Sequence, residues 1–287
     1  MPNNILITGG SGYPDGTLLH RLKLAELPTY DTLYALVRTE SQAQAVKQYG
    51  AQPLDFDSYN AEAVEEAVSK YDINILFLLH DAIKPGARVN FIKALSTLKE
   101  KNGTEVHLLH TSGAKSISSH VNAPVDEPFF DLGQTIYKIQ KHTNPGSSIL
   151  SQVWPVCHVG DNANLYIQIL RNILSDRGQD YGKKGYYLAS PGSVAWDDIY
   201  VHMAKTLYER GIVTDPQVKP ADDAALERMA AGLGCGKDLV ALQLGGKCML
   251  TAEHGKKIGW QPQYPAVHIL DALEEEVDLI LENNGRD

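Results

Sequence analysis

The stretch Asn4-Ile-Leu-Ile-Thr8-Gly9-Gly10-Ser11-Gly12-Tyr13-Pro14-Asp15-Gly16-Thr17-Leu-Leu-His-Arg-Leu-Lys-Leu24 decides the fold. A short apolar run leads into a glycine-rich turn and then into a helix-like segment from Thr17 to Leu24, the order in which a parallel sheet meets its first helix. Gly9 permits the tight turn and Gly12 lets the backbone come close to a pyrophosphate, while the helix start offers unpaired N–H groups and a partial positive charge. Four further apolar runs follow at βα spacing: Leu33–Val37, Leu54–Asp57, Ile73–Leu79 and Val106–His110. Between them Gln42–Tyr49, Ala61–Lys70 and Arg88–Lys101 read as amphipathic helices. Five strands alternating with helices predict the α/β class, as a doubly wound parallel sheet.

From Ser116 to Gln152 the pattern is least regular. Phe129, Leu132, Ile136 and Ile139 fall on one face of a helix-like piece that Asn144-Pro145-Gly146 stops. Beyond it the expected elements are a strand over Val153–Val159, a helix over Asn162–Leu174, a strand over Tyr186–Ala189, and helices over Trp196–Arg210 and Val267–Glu282. The chain therefore divides into a dinucleotide-binding domain of the Rossmann type, residues 1–150, and a smaller mixed α/β C-terminal substrate lobe, residues 151–287. The net charge of −9 over 287 residues, with Lys and Arg scattered, argues against nucleic acid as a partner and for a small-molecule substrate. Apolar runs are too short to span a membrane and the amino end lacks signal-peptide character, so a cytoplasmic protein is expected. The three cysteines Cys157, Cys235 and Cys248 lack the spacing of a disulfide framework or a metal site, and read as buried thiols.

The words Thr8-Gly-Gly-Ser11-Gly12-Tyr13, with Thr111-Ser112-Gly113 at the end of the fifth strand, resemble the extended and atypical short-chain dehydrogenase/reductases, including the regulator-like NmrA group and the epimerase/dehydratase-like members. Trp154-Pro-Val-Cys-His158-Val159-Gly160-Asp161-Asn162 is similar to the His-Val-x-Asp element that precedes a helix in the C-terminal lobe of extended members. Lys184 to Ser190 and Trp196-Asp-Asp are similar to the strand and helix that come next. The resemblance implies NADP in preference to NAD, because Arg38 stands where the family places a basic residue for the 2′-phosphate and nothing acidic follows until Glu40. It also implies that Gly9, Ser11, Gly12 and Tyr13 form the phosphate loop, that Asp55 and Phe56 lie beside the adenine, and that His80 lies where the nicotinamide ribose would be. By the same resemblance Ser112 polarises a substrate carbonyl, Tyr137 is the general acid/base, and Lys141, four residues on, tunes it. A homodimer is the assembly expected.

Two departures from the family pattern leave alternatives open. The third glycine of the loop falls at position 15, where this chain has Asp15 and only then Gly16. A carboxylate there either competes with the pyrophosphate for helix N–H donors or caps the helix. Only 16 residues separate Lys141 from His158, which implies a deletion around the catalytic helix and sixth strand. Either Tyr137 and Lys141 are the family pair, or their helix belongs to the later lobe and the family tyrosine is lost. The expected function is accordingly NADP(H)-dependent reduction, oxidation or epimerisation of a small carbonyl or alcohol. The alternatives are a cofactor-independent isomerase, cyclase or lyase on the same scaffold, and a non-catalytic NmrA-like regulator.

Overall fold

The structure, a computed structural model, describes residues 3–9, 13–80, 84–141 and 152–283, with the side chains of residues 13–15 outside that set. Strands β1 (Asn4–Thr8), β2 (Thr32–Leu36), β3 (Gln52–Leu54), β4 (Ile73–Leu78) and β5 (His107–His110) alternate with helices α1 (Tyr13–Leu24), α2 (Glu40–Gln48), α3 (Ala61–Lys70) and α4 (Gly86–Asn102). All neighbours pair in parallel, in the order β3-β2-β1-β4-β5. The expected doubly wound sheet is present. Every residue of β1 and β4 is buried, as central strands covered on both faces require. Ile7 stands opposite Ala35 on one side and Phe77 on the other.

Local chemistry sets the helix ends. The Thr39 hydroxyl accepts from the Gln42 N–H at the start of α2, and the Asn60 side chain accepts from Glu62 and Ala63 at the start of α3. Gly103, at φ +66°, closes α4 in the left-handed conformation. At the amino edge of the sheet the buried Asn74 accepts from the Asn4 N–H and donates to Asn3 and to the Glu105 carbonyl, which ties β1, β4 and the approach to β5 together.

Contacts group the chain into two compact units, whereas the 1–150 and 151–287 division is one by expected role. The first unit holds residues 1–113, 159–180 and 258–260. Its late segments are helix α6 (Val159–Leu174), which packs on α1, and the Ile258–Trp260 segment, whose indole N–H donates to the Asp161 carbonyl at 2.8 Å. The second unit holds residues 114–158, 181–257 and 261–287. There α5 (Thr135–Lys141) precedes α6 in the chain, and α7 (Trp196–Glu209), α8 (Asp223–Leu233), α9 (Val240–Leu244), α10 (His254–Lys257), α11 (His268–Asp271) and α12 (Leu273–Asn283) follow it. Strand β6 (Phe129–Phe130) pairs in parallel with β9 (Leu250–Thr251), and β7 (Val153–Val156) pairs antiparallel with β8 (Gly192–Ala195). A core of Ile117, Val125, Phe129, Ile136, Cys248 and Leu250 lies beneath them.

Several expectations for this second unit are corrected. Phe129 is on strand β6, and a helix begins only at Thr135, because Asp131 is committed elsewhere. That carboxylate is 1% exposed and accepts the backbone N–H groups of Leu188, Glu253 and His254 at 2.8–2.9 Å. The same bonds explain why Tyr186–Ala189 is not a strand: the Leu188 N–H goes to Asp131 instead of a ladder, and the strand before α7 is Gly192–Ala195. Helix α8 was hidden in an acidic run, where Asp222 caps it by accepting from the Ala225 N–H. Of the three cysteines only Cys248 is buried, and burial pushes its thiol up to about 12, so it is inert as a thiolate.

Because Asp131 satisfies three backbone donors, Asp131→Ala is expected to destabilise the protein by about 3–5 kcal/mol, the cost of leaving buried N–H groups unpaired. Asp131→Asn, which keeps one acceptor oxygen, should fall between the two in urea denaturation.

Candidate functional site

In a doubly wound sheet the crevice opens where the chain leaves neighbouring strands in opposite directions, here at the carboxyl ends of β1 and β4. Thr8, fully buried, holds that point. Its hydroxyl accepts the Leu79 N–H at 3.0 Å and donates to the Phe77 carbonyl at 3.4 Å, so a side chain supplies the pairing that β1 can no longer give. The next residue, Gly9, has φ +83°, a conformation that costs any residue with a Cβ. Ser11 and Gly12 lie outside the described residues. Tyr13 opens α1, which places Asp15 within the first turn and not ahead of the helix. Gly16 is also inside α1, and a Cβ there would meet nothing within 4 Å, so Gly16 does not serve close helix–strand packing.

Along the same edge Arg38 follows β2. Its backbone N–H donates to Gln42 Oε1, while its exposed guanidinium forms no ion pair or hydrogen bond among the described residues. The next acid in the chain, Glu40, accepts along α2 from Gln44 Nε2 at 2.6 Å. After β3, Asp55 is exposed, and Phe56 turns inward with its edge against Phe91 at 6.2 Å. After β4, His80 Nε2 shares a hydrogen bond with the buried Ser58 hydroxyl at 3.1 Å, and Asn90 holds the Ser58 and Tyr59 carbonyls.

The end of β5 carries contacts that sequence reading missed. Arg88 on α4 bonds His110 Nε2 at 2.9 Å, the Thr111 N–H donates to the Leu78 carbonyl, and the Thr111 hydroxyl meets the Tyr166 hydroxyl at 2.7 Å. Tyr166 is on α6, 55 residues away in the chain, and its ring packs near Phe77. Only the polar pattern of α6 could have hinted at it. Ser112, the next residue, is exposed. Burial, and then the Arg88 charge, hold the His110 imidazole below its ordinary value of 6.5. The structure thus brings Thr8, Gly9, His80, Thr111 and Ser112 to the carboxyl ends of three adjacent strands.

Tyr137 and Lys141 are on α5, in the second unit, one helical turn apart. Lys141 is exposed and makes no polar contact among the described residues. The ammonium that faces Tyr137 is Lys183, 5.2 Å from the ring centre, a residue sequence reading did not single out. Its partner is found only through the fold, since 182–184 forms a separate single turn.

No family model and no curated protein matches the sequence. Among solved structures the chain is similar to gox2253, with a TM-score of 0.60 at 16% identity over 98% of both chains. It is also similar to the triphenylmethane reductase of Citrobacter sp. complexed with NADP(H), with a TM-score of 0.55 at 13% identity over 96% of this chain and 99% of that one. The fold is theirs. The NADPH-dependent quinone oxidoreductase QOR2 from Escherichia coli, complexed with NADPH, matches with a TM-score of 0.51 at 14% identity, over 96% of this chain and 99% of the other. Among the described residues no helix is long and apolar enough to cross a membrane.

Two outcomes follow for the glycines. Gly9→Ala should destabilise by about 1–2 kcal/mol through its positive φ, whereas Gly16→Ala should stabilise by about 0.5–1 kcal/mol as a helix-interior replacement; thermal denaturation of the two variants separates the roles.

A pH dependence follows from His110. Its folded value lies below its unfolded one, so the unfolded chain binds the extra proton; stability is complete above 6.5 and is lost as the pH falls from there through the folded value. His110→Gln, which can still accept from Arg88, should flatten the stability loss between about pH 7.5 and about pH 5.5, measured by urea midpoints.

Proposed function

We propose that the protein is an oxidoreductase that binds NADP(H) and acts on a small carbonyl or alcohol. The observation that carries this reading is a positive-φ glycine at the end of β1 together with an exposed guanidinium after β2, that of Arg38, which has no ion pair among the described residues. A sugar phosphate beside β2 would meet the Arg38 cation, and the next acid in the chain, Glu40, is engaged by Gln44. The triphenylmethane reductase and QOR2, which share the fold, are named as complexes with NADP(H) and NADPH.

In this reading Gly9, Ser11, Gly12 and Tyr13 would hold the pyrophosphate, Arg38 the 2′-phosphate, Asp55 and Phe56 the adenine and His80 the second ribose. When bound, the dinucleotide supplies or accepts a hydride. In the first unit Ser112 would be the donor to a substrate carbonyl oxygen; in the second, Tyr137 would be the group that gives up a proton and Lys141 the cation that orients its phenol.

A second reading has one observation in its favour. The backbone puts Asp15 in the first turn of α1, where a carboxylate would compete with a pyrophosphate, and a cofactor-independent isomerase, cyclase or lyase would have no need of that anion site.

A thermal-shift scan with NADPH, NADP, NADH and NAD decides between them. At 100 times its dissociation constant a bound dinucleotide should add about 2.7 kcal/mol of stability. Arg38→Ala should weaken NADPH by about 10–100-fold, as loss of a charge-assisted pair does, and leave NADH within about twofold. Tyr137→Phe should lower turnover by about 10²–10⁴ with dinucleotide binding unchanged. No shift with any of the four would favour the cofactor-independent reading.

A further inference from the structure

Of helix α5 seven residues are described, Thr135–Lys141, and among them Ile136 alone is buried, with Ile139 packed against the same cluster. The hydrogen bonds within a helix leave its rotation about its own axis free, so contacts from outside must fix the direction of its side chains. Gln140 makes two of them. The Tyr186 hydroxyl donates to Gln140 Oε1 at 2.9 Å, and Gln140 Nε2 donates to Ser116 Oγ at 3.2 Å.

These two bonds orient each other. Burial, and then the neighbouring Tyr137, push the Tyr186 phenol above its ordinary 10, so it stays protonated and acts as a donor. A phenol that donates needs the oxygen end of the amide, which leaves the NH2 end to face Ser116. The amide cannot flip without losing both bonds. Ser116 belongs to the single turn Ala114–Ile117, four residues beyond Ser112 in the chain, and that turn packs on α5. Gln140 is three residues after Tyr137 and next to Lys141.

We propose that Gln140 is a positioning residue for Tyr137: the chain Tyr186–Gln140–Ser116 fixes the rotation of α5 about its axis and so the direction of the Tyr137 hydroxyl. The inference rests on the reading of Tyr137 as the acid. It goes beyond that reading by assigning Tyr186, Gln140 and Ser116 a shared task.

The test uses the full-length protein with Gln140→Leu, which removes both bonds, and Gln140→Glu, which keeps the acceptor for Tyr186 and loses the donor to Ser116. Turnover with NADPH and a carbonyl substrate should fall about 10–100-fold in Gln140→Leu, as small misplacements of a reacting group do, and less in Gln140→Glu. The KM for substrate and the Kd for NADPH should stay within about twofold, because nothing that binds them is removed. In a Tyr137→Phe background Gln140→Leu should cause no further loss, and Tyr186→Phe should add nothing to Gln140→Leu, since all act through one hydroxyl. Where Tyr137→Phe itself lowers turnover, turnover of Gln140→Leu within about twofold of wild type, or full additivity with Tyr137→Phe, overturns the proposal. A readout independent of activity accompanies these. In protein labelled with 13Cζ-tyrosine, the Tyr137 resonance should shift or split in both Gln140 variants, and an unmoved resonance overturns the positioning role. If Tyr137→Phe is silent in turnover while the resonance moves, the reading of Tyr137 as acid fails and the positioning chain stands.

Discussion

Two parallel strands can share a ladder only while they run together, and the place where the chain leaves them in opposite directions must either lose hydrogen bonds or borrow them. In this protein the Thr8 hydroxyl is the loan. By accepting the Leu79 N–H it keeps β1 and β4 joined one residue past the point where β1 turns away at Gly9. The crevice is thereby a rigid notch, with its floor closed by a buried hydroxyl. A valine of the same shape would fill the space and leave the N–H of Leu79 without a partner. Everything placed along the carboxyl edge, from Arg38 to Ser112, takes its position from the sheet that this notch completes.

The second unit solves a related problem with the opposite means. Among its described residues it has little regular sheet, two pairs of short strands, and its irregular segments would carry unpaired backbone groups into the core. Asp131 gathers three of those groups onto one carboxylate, joining the segment around Leu188 to the start of α10. His254 reinforces the junction by bonding the Tyr186 carbonyl through Nδ1 and stacking on Tyr187. Such a hub is economical in residues, and it concentrates the stability of several loops in a single side chain.

This contrast also explains what could be read from the sequence. The five strands of the sheet and the helices between them were legible because each is a local pattern, an apolar run or an amphipathic stripe bounded by a cap or a glycine; α3 begins and ends where its stripe does, at Ala61 and Lys70. Gly9, at the strand-to-helix turn, came from the same local reading, whereas Arg38 was singled out by the family resemblance. What was not legible depends on partners far away in the chain. The run Tyr186-Tyr187-Leu188-Ala189 has the composition of a strand, yet its N–H serves a carboxylate 57 residues earlier. Tyr166 and Thr111, or Lys183 and Tyr137, carry no mark in sequence of the pairs they form, because neither pair recurs at a helical or strand spacing. Phe129 and Ile136 both belong to the buried core of the second unit, but the helix face expected to carry them both does not form, since a polar hub sits between them.

The return of Ile258–Trp260 to the first unit bears on how the protein is made. The indole of Trp260, almost wholly buried, donates to the Asp161 carbonyl, and Asn172 donates to the Ile258 carbonyl. These bonds fasten α6, which packs on α1 near the beginning of the chain. On a ribosome that adds roughly 5–20 residues per second, the sheet and α1 emerge first and must wait for α6, and the clasp on α6 arrives only after most of the second unit has been synthesised. The polypeptide crosses between the units at 113/114, 158/159, 180/181, 257/258 and 260/261, so neither unit is a continuous piece of chain. Completion of the first is therefore an event of late translation, and a truncated chain ending before Ile258 would lack the indole that bonds the Asp161 carbonyl.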